Sequence, residues 1–127
     1  KGGIVSKTIL IVDDDRATSN LLKTLFQIEG YASIACPRPD EVLSVARKEK
    51  PDLILMDFHL ANVESLDILR AIRAEAETKD IPVVMTSGMD RSYECMKAGA
   101  NDFVLKPFKP SDLLTAIKKQ LAQDVER

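Results

Sequence analysis

The chain has 127 residues, which corresponds to one domain and leaves no room for a second. Hydrophobic residues make up 45% and charged residues 30%, a composition that excludes a disordered tail, a collagen-like chain and a disulfide scaffold. The net charge of −2 predicts no direct binding of nucleic acid, because non-specific binding of that kind requires a basic surface.

The cysteine pattern and the hydropathy narrow the class further. Cys36 and Cys95 lie far apart without the spacing of a zinc site, and they indicate reduced thiols in a cytoplasmic protein. No apolar run is long enough to cross a membrane, so no membrane association is expected. Residues 1–4 lack the apolar stretch of a signal peptide. The chain does not begin with Met, which favours a fragment or a trimmed form of a longer protein.

Five short apolar runs predict β-strands. Their near-continuous hydrophobicity is typical of parallel strands that are covered on both faces. In chain order the runs are Thr8–Val12, Tyr31–Ala35, Leu53–Met56, Pro82–Thr86 and Phe103–Leu105.

Amphipathic stretches after each run predict five helices. The first helix ends at Gly30, and the second opens at Pro39, where a proline followed by two acids suits a helix start. The remaining three are marked by Leu66–Ile72, by Ser92–Ala98 before Gly99, and by Leu113–Leu121 after Pro110. This alternation predicts a three-layer, doubly wound (βα)5 fold of the α/β class, flavodoxin-like, with a parallel five-stranded sheet of order 2-1-3-4-5.

Polar residues end or follow four of the strands, at the edge where open α/β sheets bind their ligands. In chain order they are Asp13, Asp14 and Asp15, then Asp57, Ser87 and Lys106. Because the four strands are neighbours in the predicted sheet, we expect these side chains to converge. Each also has an ordinary structural explanation, since acids after a strand cap helices, a turn serine bonds locally and a single lysine is solvated.

Electrostatics favours a cation at this edge. Two carboxylates about 4 Å apart repel by roughly 4 kcal/mol at an effective dielectric constant of 20, so Asp13, Asp14 and Asp57 require positive charge. Lys106 supplies one charge, and Mg²⁺, which binds carboxylates, waters and phosphate oxygens, supplies the rest. His59 is the only histidine, so no His/Cys cluster favours zinc.

Four segments together resemble the motifs of bacterial response-regulator receiver domains. They are Ile9–Asp15, Asp52–Asp57, Pro82–Gly88 and Val104–Phe108. The resemblance implies a single receiver domain over residues 1–127, with an ordered core at about 8–121.

By position, the resemblance also implies the roles of individual residues. Asp57 is the phosphoacceptor, and the acidic pair Asp13 and Asp14 holds Mg²⁺ with Asp57 and the backbone carbonyl of His59. Further roles fall to Ser87 as the switch hydroxyl, Lys106 as the phosphoryl-binding cation and Phe103 as the aromatic switch. The Lys106–Pro107 peptide bond is expected to be cis.

The chain departs from the family pattern in the loop after Asp57 and in the fourth helix. Ala61 and Ser65 stand where the family often has Pro and Gly, which predicts a differently shaped loop. The interval from Ser87 to Lys106 is about one helical turn shorter than in the family, which predicts a short fourth helix.

The resemblance implies a signalling module and not a turnover enzyme. The module takes a phosphoryl group from a phospho-His of a histidine kinase or phosphotransfer protein. Whether it acts through an output domain, a separate target protein or a homodimer stays open.

Two other classes match parts of the pattern. A haloacid-dehalogenase-like phosphatase uses Asp-x-Asp after its first strand, with Asp13 as nucleophile, but Ala17 stands where that motif has Thr or Val. A flavodoxin-like cofactor binder needs a phosphate loop rich in Ser, Thr and Gly, which the first strand–helix turn lacks.

Overall fold

The structure is a computed structural model that describes residues 6–36 and 38–125. The opening residues 1–4, on which the expectation of no signal peptide depends, lie outside the described residues. Within the described part, no helix is both long and apolar enough to cross a membrane. Cys36 and Cys95 are both buried free thiols.

Five parallel strands form a single sheet. They are β1 (Thr8–Val12), β2 (Ala32–Ala35), β3 (Leu53–Asp57), β4 (Val83–Ser87) and β5 (Asp102–Leu105). The strand order is β2-β1-β3-β4-β5, which confirms the predicted topology. Chain connections reverse direction between β1 and β3, so the carboxyl ends of these two strands flank a cleft.

The helices lie on both faces of this sheet. They are α1 (Arg16–Ile28), α2 (Val42–Glu49), α3 (Ser65–Ala74), α4 (Ser92–Ala98) and α5 (Pro110–Val125). Asp15 caps the start of α1, and Gly99, with a φ of 116°, ends α4 in the left-handed conformation. The prediction of a short fourth helix is confirmed, since α4 has 7 residues.

Several element boundaries differ from the sequence prediction. The segment predicted to open the second helix forms a separate 3-10 turn, Pro39–Glu41, because the Pro39 carbonyl accepts from Val42 N–H, three residues on. Strand β2 begins at Ala32, because Tyr31 N–H closes α1 on the Phe26 carbonyl. Strand β4 runs from Val83 to Ser87, so Ser87 belongs to the strand and does not follow it.

The apolar side chains form two cores, one on each face of the sheet. One core joins the sheet to α2, α3 and α4, and the other joins it to α1 and α5. Strands β1, β3 and β4 are covered on both faces, which explains their continuous hydrophobic runs. Carboxylates at the ends of such strands are therefore held by rigid, buried backbone.

Candidate functional site

Asp57, Lys106 and Asp13 meet at the carboxyl edge of the sheet. Lys106 Nζ lies 3.5 Å from Asp57 Oδ1 and 3.6 Å from Asp13 Oδ2. Both distances exceed a normal hydrogen bond, so the single ammonium is shared between two carboxylates without fully pairing either. The predicted convergence of β1, β3 and β5 is confirmed for these three side chains.

Asp13 is the most buried of the acids at this edge, with 5% of its surface exposed. Burial raises its pKa above the ordinary aspartate value, and the nearby Asp57 carboxylate adds to that rise. The Asp15 N–H, which donates to Asp13 Oδ1 at 2.9 Å, and Lys106 oppose it. The edge thus holds a carboxylate whose negative charge is only partly compensated.

Asp14 is exposed and points across the cleft. Its Oδ2 accepts a hydrogen bond from the backbone N–H of Ala61 in the loop between β3 and α3. In residues 6–36 and 38–125, no three His, Cys, Asp or Glu side chains lie close enough together to hold a metal ion. The role of Asp14 as a metal ligand therefore stays a prediction.

Asp15 has the structural role that acids after a strand commonly have. Its two carboxylate oxygens accept from Ala17 N–H at 3.2 Å and from the Thr18 hydroxyl at 2.6 Å. These bonds lower the pKa of Asp15, the Thr18 bond most. Asp15 is therefore the N-cap of α1, and the Asp-x-Asp pattern of the phosphatase alternative is accounted for without catalysis.

Ser87 is fully buried, and its hydroxyl accepts from Met89 N–H at 3.1 Å. Side chains alternate along β4, so Ser87 shares the face of Met85, which packs in the core beside α4. Phe103 pairs with Met85 and packs, half-buried, against the same core. Ser87 and Phe103 thus lie on one face of the sheet.

The backbone of Lys106, directly after β5, is hydrogen-bonded to the end of β4. Its N–H donates to the Ser87 carbonyl at 2.7 Å, and the Lys106–Pro107 bond is cis, as predicted.

The His59 side chain is exposed, and its ring meets Phe58 edge-on at 5.0 Å between centroids. A metal-binding role for the His59 carbonyl stays a prediction.

Sequence reasoning missed Thr86 and Ser65. Thr86 pairs with Asp57 in the sheet and helps to line a cavity of about 10 Å³ together with Asp57 and Lys106. The Ser65 hydroxyl donates to the Phe58 carbonyl at 2.6 Å, directly after the Asp57 position. The alternation of side chains along β4 could have placed Thr86 on the sheet face beside Asp57. The departure from the family pattern at Ser65 could have indicated a local role for its hydroxyl.

Arg91 is a third residue that the sequence did not reveal. Its guanidinium lies 5.4 Å from the centre of the Phe58 ring, and one of its nitrogens is 3.3 Å from Glu94. Its Nε is buried and has no hydrogen-bond partner within the part of the chain that the structure describes. A loop arginine has no periodic signal, so only the fold shows that it covers the residue after Asp57.

Residues 9–118 match the family described as the response regulator receiver domain. The chain therefore belongs to this family, whose members are the receiving domains of two-component signalling. The match gives no support to a haloacid-dehalogenase-like phosphatase.

Particular relatives agree with this class. The phosphate regulon transcriptional regulatory protein PhoB of Pseudomonas aeruginosa is 31% identical over 93% of this chain and 53% of its own length. The DNA-binding response regulator MtrA of Mycolicibacterium smegmatis is 29% identical over 91% of this chain and 51% of its own. The chain thus spans about half the length of these relatives.

Two solved structures share the fold. A CheY-like receiver domain protein from Methanospirillum hungatei has a TM-score of 0.88 and 30% identity, covering 96% of this chain and 98% of that one. The receiver domain of a Pseudomonas aeruginosa sensor histidine kinase has a TM-score of 0.84 and 24% identity, covering 93% and 99%. That second structure holds a magnesium ion in its active-site cleft.

Proposed function

We propose that Asp57 accepts a phosphoryl group from the phospho-His of a histidine kinase or phosphotransfer protein. A carboxylate oxygen of Asp57 forms the new bond to phosphorus as the phosphorus–nitrogen bond of the donor breaks. The electron pair of that bond stays on the departing imidazole nitrogen. The observation that carries the proposal is the Lys106 ammonium, 3.5 Å from Asp57 Oδ1 at the open edge of the sheet.

Lys106 and the strand ends supply positioning and charge. The transferring phosphoryl oxygens carry spread negative charge, and an ammonium already beside the nucleophile stabilises them without reorganisation. Because the Lys106 N–H is bonded to the Ser87 carbonyl, this ammonium is held relative to β4 as well as β3.

The chemistry of the donor set suits a magnesium ion, and binding requires the Asp14 carboxylate to move toward Asp13 and Asp57, since no three such side chains in residues 6–36 and 38–125 already lie within reach of one cation. Asp13, Asp14 and Asp57 offer hard oxygen ligands, and Asp13 is a buried carboxylate with incomplete compensation by Lys106. When bound, such an ion neutralises charge on the phosphoryl oxygens. Support also comes from the related receiver domain that holds magnesium.

Trapping the acyl phosphate tests the nucleophile. After incubation with a small phosphodonor, borohydride reduction and mass spectrometry, we expect stoichiometric modification at Asp57 alone. Asp57→Asn should abolish it. Asp15→Asn is the matched control, since Asn is an equally good helix cap and the Asp15 carboxylate is bonded to the Ala17 N–H and the Thr18 hydroxyl. Modification of Asp13 would refute the proposal and support the phosphatase class.

Thermal unfolding tests the metal site independently. A ligand that binds only the folded state raises Tm, so millimolar Mg²⁺ should stabilise the wild type and stabilise Asp57→Asn less. An unchanged Tm for the wild type would contradict the magnesium proposal while leaving the trapping result to decide the nucleophile.

Phosphorylation is read out, we infer, through Ser87 and Phe103 on the surface of α4, β5 and α5. The Ser87 hydroxyl is an acceptor for Met89 N–H, so turning it toward a phosphoryl oxygen removes a bond from the loop before α4. Phe103 lies half-buried on the same face and can gain about 1.5–3 kcal/mol at most by full burial of its ring.

Backbone amide chemical shifts with and without beryllium fluoride test this route. Ser87→Ala should keep the adduct at Asp57 but reduce the shifts of residues 88–105. Equal shifts in the variant and the wild type would exclude Ser87 as the link.

We place the exchange in the cytoplasm, since the two buried free thiols Cys36 and Cys95 fit a reducing compartment. In this proposal the domain catalyses only its own phosphorylation and dephosphorylation. The output lies with a further domain or a separate target.

A further inference from the structure

The loop between β3 and α3 is held in one conformation over the cleft. At its base, Phe58 N–H donates to the Thr86 carbonyl at 2.7 Å, and the fully buried Ser65 hydroxyl donates to the Phe58 carbonyl at 2.6 Å. At its tip, Asn62 has a φ of 64°, the left-handed value of the third residue in a type II turn. Ala61 is then the second residue of that turn.

This turn directs the Ala61 N–H at Asp14. The amide donates to Asp14 Oδ2, although the two residues belong to loops that are 47 positions apart in the chain. Asp13 and Asp57, in contrast, both face Lys106. In the described chain, no three His, Cys, Asp or Glu side chains lie within reach of one cation.

We propose that the Ala61 amide competes with the divalent cation for the Asp14 carboxylate and so weakens magnesium binding. The inference rests on the proposed function, which assigns Asp14 to the metal. A hydrogen bond to an ionised carboxylate is stronger than one between neutral groups. Asp14 must lose this bond to Ala61 before it can move toward Asp57 and bind the cation, so the bond opposes metal binding. The amide therefore acts as a backbone device that sets the magnesium concentration at which the domain becomes competent.

Ala61→Pro removes the N–H and keeps the turn. Proline is favoured at the second position of a type II turn, and Ala61 is not among the residues with positive φ. By calorimetric titration with MgCl₂ we expect Ala61→Pro to bind about five- to tenfold more tightly than the wild type, which is the net contribution of one ordinary hydrogen bond, because Asp14 is exposed to solvent. Ala61→Gly retains the N–H and should bind much more like the wild type.

Amide exchange in the wild type gives a second measurement that needs no variant. The Ala61 N–H should be protected without magnesium and should lose protection as MgCl₂ is added. The Ala17 N–H, which donates to Asp15 Oδ1 in the N-cap of α1, should keep the same protection from exchange when MgCl₂ is added.

The outcomes separate this inference from the proposed function. Equal affinities of the Pro and Gly variants would overturn the competition. The competition would also be overturned if Ala61→Pro bound magnesium more weakly than the wild type and the Ala61 N–H of the wild type stayed protected in magnesium. The amide would then orient Asp14 for the metal. Absence of magnesium binding in all three proteins would instead remove the proposed metal site, and the competition with it.

Discussion

An arginine at the amino ends of the strands is extensively hydrogen-bonded, whereas the lysine at the carboxyl ends is not. At the amino ends of β4 and β5, the half-buried Arg73 uses each of its three nitrogens as a hydrogen-bond donor. Its partners are the carbonyls of Gly99 at 2.9 Å, Lys79 at 2.9 Å and Ile81 at 2.8 Å, and Asn101 Oδ1 at 2.7 Å. At the carboxyl ends, Lys106 lies 3.5 Å and 3.6 Å from two carboxylates.

The difference separates a structural charge from a functional one. The Arg73 guanidinium donates to four protein acceptors in place of water. One of them, Asn101 Oδ1, also accepts from Val83 N–H at 2.8 Å, so this network fixes where β4 starts. The carboxyl edge keeps negative charge that its own lysine does not neutralise. That remaining charge makes the edge able to bind a cation and a phosphoryl group, at some cost in stability of the metal-free fold.

Removing Arg73 should have the largest effect on stability. Arg73→Ala leaves three carbonyls without this donor and leaves Asn101 Oδ1 with the Val83 N–H alone, and we expect a loss of about 2–4 kcal/mol in the free energy of unfolding, measured in urea. Arg70→Ala is the matched control on the same helix, because the one ion pair that Arg70 forms among the described residues is with the exposed Asp67 at 3.0 Å. It should cost at most about 0.5 kcal/mol. Similar losses in both variants would contradict the contrast between the edges.

Gly99→Ala should cost about 1–3 kcal/mol. A Cβ at Gly99 would lie 2.9 Å from Arg73 Cγ, and the φ of 116° strains any other residue. Gly88→Ala, with nothing within 4 Å and no such φ, should stay within about 0.5 kcal/mol of the wild type. In an Arg73→Ala background the cost of Gly99→Ala should fall, since the close contact is gone. An unchanged cost there would assign the whole effect to φ.

Asp13→Asn should stabilise the metal-free protein slightly. Burial raises the pKa of Asp13, so the folded state favours the neutral form, and its contribution to stability is lost as pH rises through that pKa. In EDTA at about pH 7 the variant should melt about 3–5 °C higher, as roughly 1 kcal/mol produces in a domain of this size. The difference should shrink as the pH falls through that raised pKa and should vanish well below the ordinary aspartate value of about 3.9, where Asp13 is protonated in both the folded and the unfolded state. A variant that is less stable at neutral pH would show that Lys106 compensates Asp13 fully.

Much of the carboxyl edge could be predicted because strand ends in a parallel sheet share one edge. Asp57 interrupts an apolar run, and Lys106 follows another, so order and spacing bring them together. The sequence pattern singles out Ser87 but places it after the strand, because hydrophobicity cannot show that the Lys106 N–H extends the ladder to the Ser87 carbonyl. The Arg73 network had no signal, since its acceptors are mostly backbone carbonyls that any residue carries.

The amino-acid sequence by itself determined the strand order, the two-sided burial of the sheet and the identity of the acids at its carboxyl edge. Hydrophobic periodicity and the right-handed crossover rule are local or topological, so they need no coordinates. Only the tertiary structure decided how those acids divide their contacts: Asp15 to the start of α1, Asp13 and Asp57 to Lys106, and Asp14 to the Ala61 amide. Hydrogen-bond direction depends on loop conformation and side-chain orientation, which spacing along a chain does not specify.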